Sequence, residues 1–192
     1  MAKRLVTHNG VTYDSLPEAC MGAWCEEATD LGVLHRYSTQ DTWTMTPPYY
    51  WYEQKQLKTK VKEVRRSLLL KSTYTSDFEL CSNYPINGLH TDKTGYYPCH
   101  LGEAMFYDYV VDVKGETRNT NVKGLFSLKQ KMMMFTNGVY VNKLVPSKFF
   151  MVNGWPTRLP DGCYMKKGGL YAWLNKDWQK AHPTIAEVFD VH

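Results

Sequence analysis

The tightest constraint on this chain is the run Phe106 to Val113, in which Tyr109, Val110 and Val111 form a nearly continuous apolar stretch. Such a run predicts a strand covered on both faces, because neither alternating set of side chains is suited to water. A strand buried on both sides needs other elements layered around it. An acid, Asp112, lies inside the run, and Lys114-Gly115 ends it.

The rest of the chain supplies those layers. His8 to Tyr13 predicts a turn and a short strand. Asp14 or Ser15 can then cap a helix, with Pro17 and Glu18 in its first turn. Leu16, Ala19, Cys20, Ala23, Trp24, Ala28 and Leu31 recur at three- and four-residue spacing, and Gly32 is a plausible stop. From Val33 to Leu80, runs rich in Val, Thr, Trp and Tyr predict strands, broken at Pro47-Pro48. Within them Leu57 to Lys62 alternates with period two, which predicts lysines on one strand face. Arg66 to Tyr74 and Thr75 to Cys81 read as further strands, and Ser82 to about Gly102 as a long loop.

After a polar segment, Glu116 to Lys123, a second helix is expected with Leu125, Leu128, Met132 and Phe135 on one face, closed by Asn137-Gly138. Val139 to Val145 predicts another strand. The order of helix, antiparallel strands, helix and strand favours one α/β domain over residues 1–152. Residues 153–192 form an extension packed on it, with a closing helix from about Lys176 to Val188.

Composition excludes some classes. The 43% hydrophobic content is that of a chain with a core, and no stretch approaches the apolar length of a membrane span. The Met-Ala-Lys-Arg start is followed by no apolar run, so no signal peptide is expected. Five scattered cysteines without a CxxC suggest mostly free thiols and a soluble protein of the reduced cytoplasm. Cys81, His90, Cys99 and His100 are the candidates for zinc, at a spacing that matches no known pattern. Between Lys55 and Lys71 lie seven basic residues against the single acid Glu63. This stripe suits phosphate backbones, or is a solvated strand face.

The chemistry concentrates in two segments. Asp112 and Lys114 are two apart, so both side chains leave the same face of their strand. An acid and a lysine emerging together from an apolar strand are either a surface ion pair of little worth or a site. The other segment is Tyr74-Thr75-Ser76-Asp77-Phe78-Glu79. Glu79 could share the face of Asp77 or pair with an exposed lysine.

Taken jointly, Tyr13-Asp14-Ser15 with Glu18, then Tyr74-x-x-Asp77-Phe78, then Val110-Val111-Asp112-Val113-Lys114-Gly115 resembles the PD-(D/E)XK nuclease superfamily. The likeness is greatest to phage endonuclease I, the junction-resolving type. It extends to short phage nuclease-like proteins and to the nuclease subunit of some transposases. It covers about residues 8 to 145, with Ser76 where the family usually has proline, a longer loop between the acidic strands, and no counterpart for the tail.

The resemblance implies a restriction-endonuclease-like core and phosphodiester hydrolysis of duplex or branched DNA in a bacterial host's cytoplasm, by a homodimer. It implies Mg²⁺, or Mn²⁺, held by Asp77 and Asp112, with the Val113 carbonyl and Glu18 as further ligands and Lys114 orienting the attacking water. Lys58, Lys60, Lys62, Arg65, Arg66, Lys129 and Lys131 are the candidate DNA contacts, and Gln130 a candidate bridge to the site. The alternative is a non-catalytic nucleic-acid-binding or structural protein that keeps a nuclease-like fold.

Overall fold

The computed structural model describes residues 5–90, 97–98, 105–114, 120–155, 177 and 180–192. It is an α/β structure with a mixed sheet flanked by helices. Strands β1 (Val6–His8) and β2 (Val11–Tyr13) form a small hairpin around Asn9 and Gly10, both at positive φ. Helix α1 (Leu16–Asp30) follows at once. Ser15 caps it by accepting the Glu18 amide, and the chain leaves it through Gly32 at φ 72°. Glycine reaches that conformation without a Cβ penalty.

The central sheet has the order β11-β10-β8-β3, built from Val141–Leu144, Met105–Val113, Phe78–Ser82 and Leu34–Thr39. β8 runs antiparallel to both β3 and β10, whereas β11 lies parallel to β10. A parallel return needs a crossover, and helix α2 (Thr120–Asn137) supplies it. β9 (Tyr97–Pro98) adds a short antiparallel pairing to β10.

Strand alternation divides β10 between two cores. Tyr109, Val111 and Val113 join Phe78, Leu80 and the apolar face of α1. Val110 points the other way and meets Val141, Tyr74 and Met133 of α2. Covering on both faces is what the apolar run demands.

The remaining strands make one long hairpin in two sections. β4 (Thr42–Thr46) pairs with β7 (Ser72–Thr75) beside the sheet. Beyond Pro47-Pro48, β5 (Tyr49–Gln56) pairs with β6 (Val61–Leu69). Helix α3 (Pro146–Asn153) and helix α4 (Ile185–Phe189) complete the structure. Trp155 bridges to Thr184, and both Trp155 and Ile185 are buried in the α1 core. Among the described residues no helix is long and apolar enough to cross a membrane.

Four sequence expectations are corrected. Leu57 to Lys60 is the hairpin turn, closed by the Leu57 amide donating to the Lys60 carbonyl at 2.8 Å, so Lys58 and Lys60 are turn residues and share no strand face with Lys62. Arg66 to Tyr74 is split between β6 and β7 rather than one strand. On α2, Leu125, Leu128 and Phe135 face solvent, Phe135 at 92% exposure, and Met133 is the buried residue. The sheet offers α2 the side chains of Val110 and Val141, and the opposite face of the helix covers them. The closing helix is interrupted rather than continuous: Asp177 and Lys180 are helical, Ala181 to Pro183 turn, and Thr184 then caps α4.

Gly22 gives a direct test of the α1 packing. A Cβ there would stand 2.2 Å from the Tyr13 hydroxyl and 2.5 Å from its ring. Gly22→Ala gains about 1 kcal/mol of helix propensity but overpacks a fully formed core, at about 1–3 kcal/mol. The clash involves a rigid ring stacked on Phe78, so the loss dominates. A melting temperature lowered by a few degrees is expected, and an unchanged or raised one would contradict this packing.

Candidate active site

Three charged side chains converge where β10 ends. Asp77 sits just before β8 and is fixed to β10 twice: its amide donates to the Val111 carbonyl at 3.1 Å, and its Oδ2 accepts the Val113 amide at 2.7 Å. Asp112 leaves β10 on the α2 side, next along that face from Val110. Lys114 follows two residues later, its amide donating to the Leu144 carbonyl of β11. Its ammonium lies 2.7 Å from Asp112 Oδ1 and 3.9 Å from Asp77 Oδ2. One cation therefore spans both carboxylates.

The site is largely withdrawn from water. The Asp112 side chain is 5% exposed and that of Asp77 16%, while Lys114 keeps 35% and opens the site to solvent. The second Asp112 oxygen, Oδ2, is buried and completes no hydrogen bond among the described residues. Burial, and then repulsion from Asp112, push the Asp77 carboxyl up to about 7, against the opposing pull of Lys114. Two carboxylates with one shared ammonium remain short of positive charge.

The other expected residues are placed unequally. Glu18 is buried and stays in its capping role, with Oε1 accepting from Ser15 Oγ at 2.7 Å and Oε2 from the Asp14 amide at 3.3 Å. It lies within electrostatic reach of Lys114 and Asp77, and burial raises its carboxyl. Val113 contributes its amide, through Asp77. Lys129 is at the rim, its ammonium 5.9 Å from the Tyr74 ring centre. Lys131 is exposed. Gln130 donates to the Val141 carbonyl at 2.6 Å and so supports β11 rather than the carboxylates. Glu79 is paired with no lysine; it accepts Trp43 Nε1 at 2.5 Å and Ser76 Oγ at 3.2 Å.

Ser76 is fixed to Asp41 through both its backbone and its side chain. Its amide donates to the Asp41 carbonyl at 2.9 Å, a bond that proline would forfeit. Tyr74 was not singled out by sequence reasoning as a site residue. Its ring is buried under Lys129, and its hydroxyl, also without a completed hydrogen bond, is raised by burial and by the charges of Asp112 and Asp77. The signal was its place three residues before Asp77. On the same sheet face, Arg36, Asp41, Trp43, Glu79 and Asp108 line a cavity of about 400 Å³.

Among the described residues no three His, Cys, Asp or Glu side chains form a ready metal cage. That includes Cys81 and His90; Cys99 and His100 lie outside the described residues. The donor set still fits a hard cation. Mg²⁺ needs only one or two carboxylates beside substrate phosphate, and the buried Asp112 Oδ2, with the Tyr74 hydroxyl as a polar neighbour of its carboxylate, completes no hydrogen bond among the described residues. Cys25 and Cys81 are buried free thiols. No family model, curated protein or solved structure matches this chain.

Proposed function

We propose that this protein is a Mg²⁺- or Mn²⁺-dependent DNA endonuclease with a restriction-endonuclease-like core. The observation that carries the reading is the Lys114 ammonium spanning the largely buried carboxylates of Asp77 and Asp112, with the Asp112 Oδ2 completing no hydrogen bond among the described residues. The element order supports it too: one helix, three antiparallel strands, a crossover helix and a parallel strand present this trio from adjacent strands of one sheet.

Asp77 and Asp112 would hold the metal, and Glu18 would add negative field from the first turn of α1. When bound, the ion neutralises charge on the phosphate and makes a nearby water more acidic. Lys114, the most exposed of the three site residues, orients that water and stabilises the charge that develops on the phosphate. The two bonds from β10 hold Asp77 in place, so little reorganisation is needed when substrate arrives. Lys129 lies at the rim where the DNA backbone would pass. The preferred DNA structure, duplex or branched, is read by incubating purified protein with linear, supercoiled and four-way-junction DNA, in Mg²⁺, Mn²⁺ or EDTA. Cleavage in either metal and none in EDTA is expected. No cleavage of any substrate would leave only the non-catalytic reading.

A further inference from the structure

Outside the site, the most unusual surface is the β5–β6 ribbon. Among the described residues its strands pair with each other and with no other strand, and neither has a buried residue. A solitary two-stranded hairpin is marginal in water, so this one is suited to a partner. Its charge identifies the partner. Lys55 and Lys62 are directly opposed across the strands, and Lys58 and Lys60 sit in the turn just beyond them. Like charges facing each other across a ladder destabilise it. No acid forms an ion pair with any of the four among the described residues.

The two arginines are different. Arg66 pairs with Glu53 at 2.7 Å, and Arg65 stacks on the Tyr50 ring at 3.3 Å. They are occupied within the ribbon, while the four tip lysines are uncompensated. The ribbon is also rooted at the site. It continues the β4–β7 hairpin, which carries Tyr74 and leads through Ser76 into Asp77. From there β5 extends for eight residues, about 26 Å at strand rise.

We infer that the β5–β6 ribbon is a duplex-DNA arm whose tip lysines grip phosphates away from the scissile bond. A two-stranded ribbon fits the major groove, about 12 Å wide, and four free ammoniums suit its phosphate walls. Exposed Trp51 and Tyr52 add flat apolar surface along the arm. The inference rests on the DNA reading of the site but does not need its catalysis.

The test is equilibrium binding of the full chain to a labelled duplex of about 30 base pairs, in EDTA, between about 50 and 200 mM salt. A variant carrying Lys55→Gln, Lys58→Gln, Lys60→Gln and Lys62→Gln should bind at least about tenfold more weakly at low salt. Its log–log salt slope should be shallower by about 3.6, since each of the four phosphate contacts contributes about 0.9. Replacing the same four with arginine should restore both. All four side chains are exposed, and circular dichroism confirms that the fold is kept. Unchanged affinity and slope in the glutamine variant would overturn the inference. So would a loss seen only on anionic phosphatidylserine vesicles, with duplex binding intact. Failure of the endonuclease reading shows separately, as absent cleavage in metal.

Discussion

Lys114→Ala will cleave DNA about 10²–10³-fold more slowly than the native chain at saturating Mg²⁺, with duplex affinity nearly unchanged. The rate falls because the ammonium that spans the two carboxylates is removed, and loss of a preorganised charge-stabilising donor costs rates of that order. Affinity holds because the tip lysines lie on a different element. Single-turnover cleavage of supercoiled plasmid separates the two effects, since binding is saturated. Lys114→Arg keeps the charge but replaces a compact ammonium with a planar fork, and should recover only part of the rate. A Lys114→Ala protein as fast as the native one would remove Lys114 from the chemistry and leave the Asp112 contact as an ordinary ion pair.

The second large effect is on stability. Asp77 ionises at about 7 in the folded chain against 3.8 ordinarily. Between those values the folded state keeps a proton that the unfolded state has released, so raising the pH favours unfolding. The stabilisation from holding Asp77 protonated is fully present below about pH 4 and is lost as pH rises through 7. Glu18 and Glu79 are raised by burial and act in the same direction. Urea unfolding in EDTA should therefore show stability falling by an amount on the order of a few kcal/mol from pH 4 to 8. Asp77→Asn should flatten most of that slope. Mg²⁺ should stabilise more at pH 8, where the carboxylates are free to bind it, than at pH 5. A flat profile in EDTA would mean that Asp77 is not held protonated by its surroundings.

Much of the site was legible because local spacing determines it. Asp112 and Lys114 are two apart on a strand, so their shared face needs no tertiary information. Ser15, Pro17 and Glu18 mark the start of α1 by capping chemistry alone. Other features depended on distant partners. Both faces of α2 carry apolar residues, and only the position of Val110 and Val141 decides that Met133 goes inside while Leu128 stays out. The Leu57–Lys60 turn contains no glycine, proline or asparagine, so its alternation imitates a strand. Tyr74 meets Asp112 only once β7 and β10 are folded together, and no spacing along the chain announces that encounter.

The place of Ile185 bears on how the molecule is made. It is fully enclosed among side chains of α1 and α3, elements synthesised well before it. The core therefore has an open side throughout translation until that late segment emerges from the ribosome and closes it. A nascent chain arrested before residue 185 would therefore expose apolar surface to chaperones.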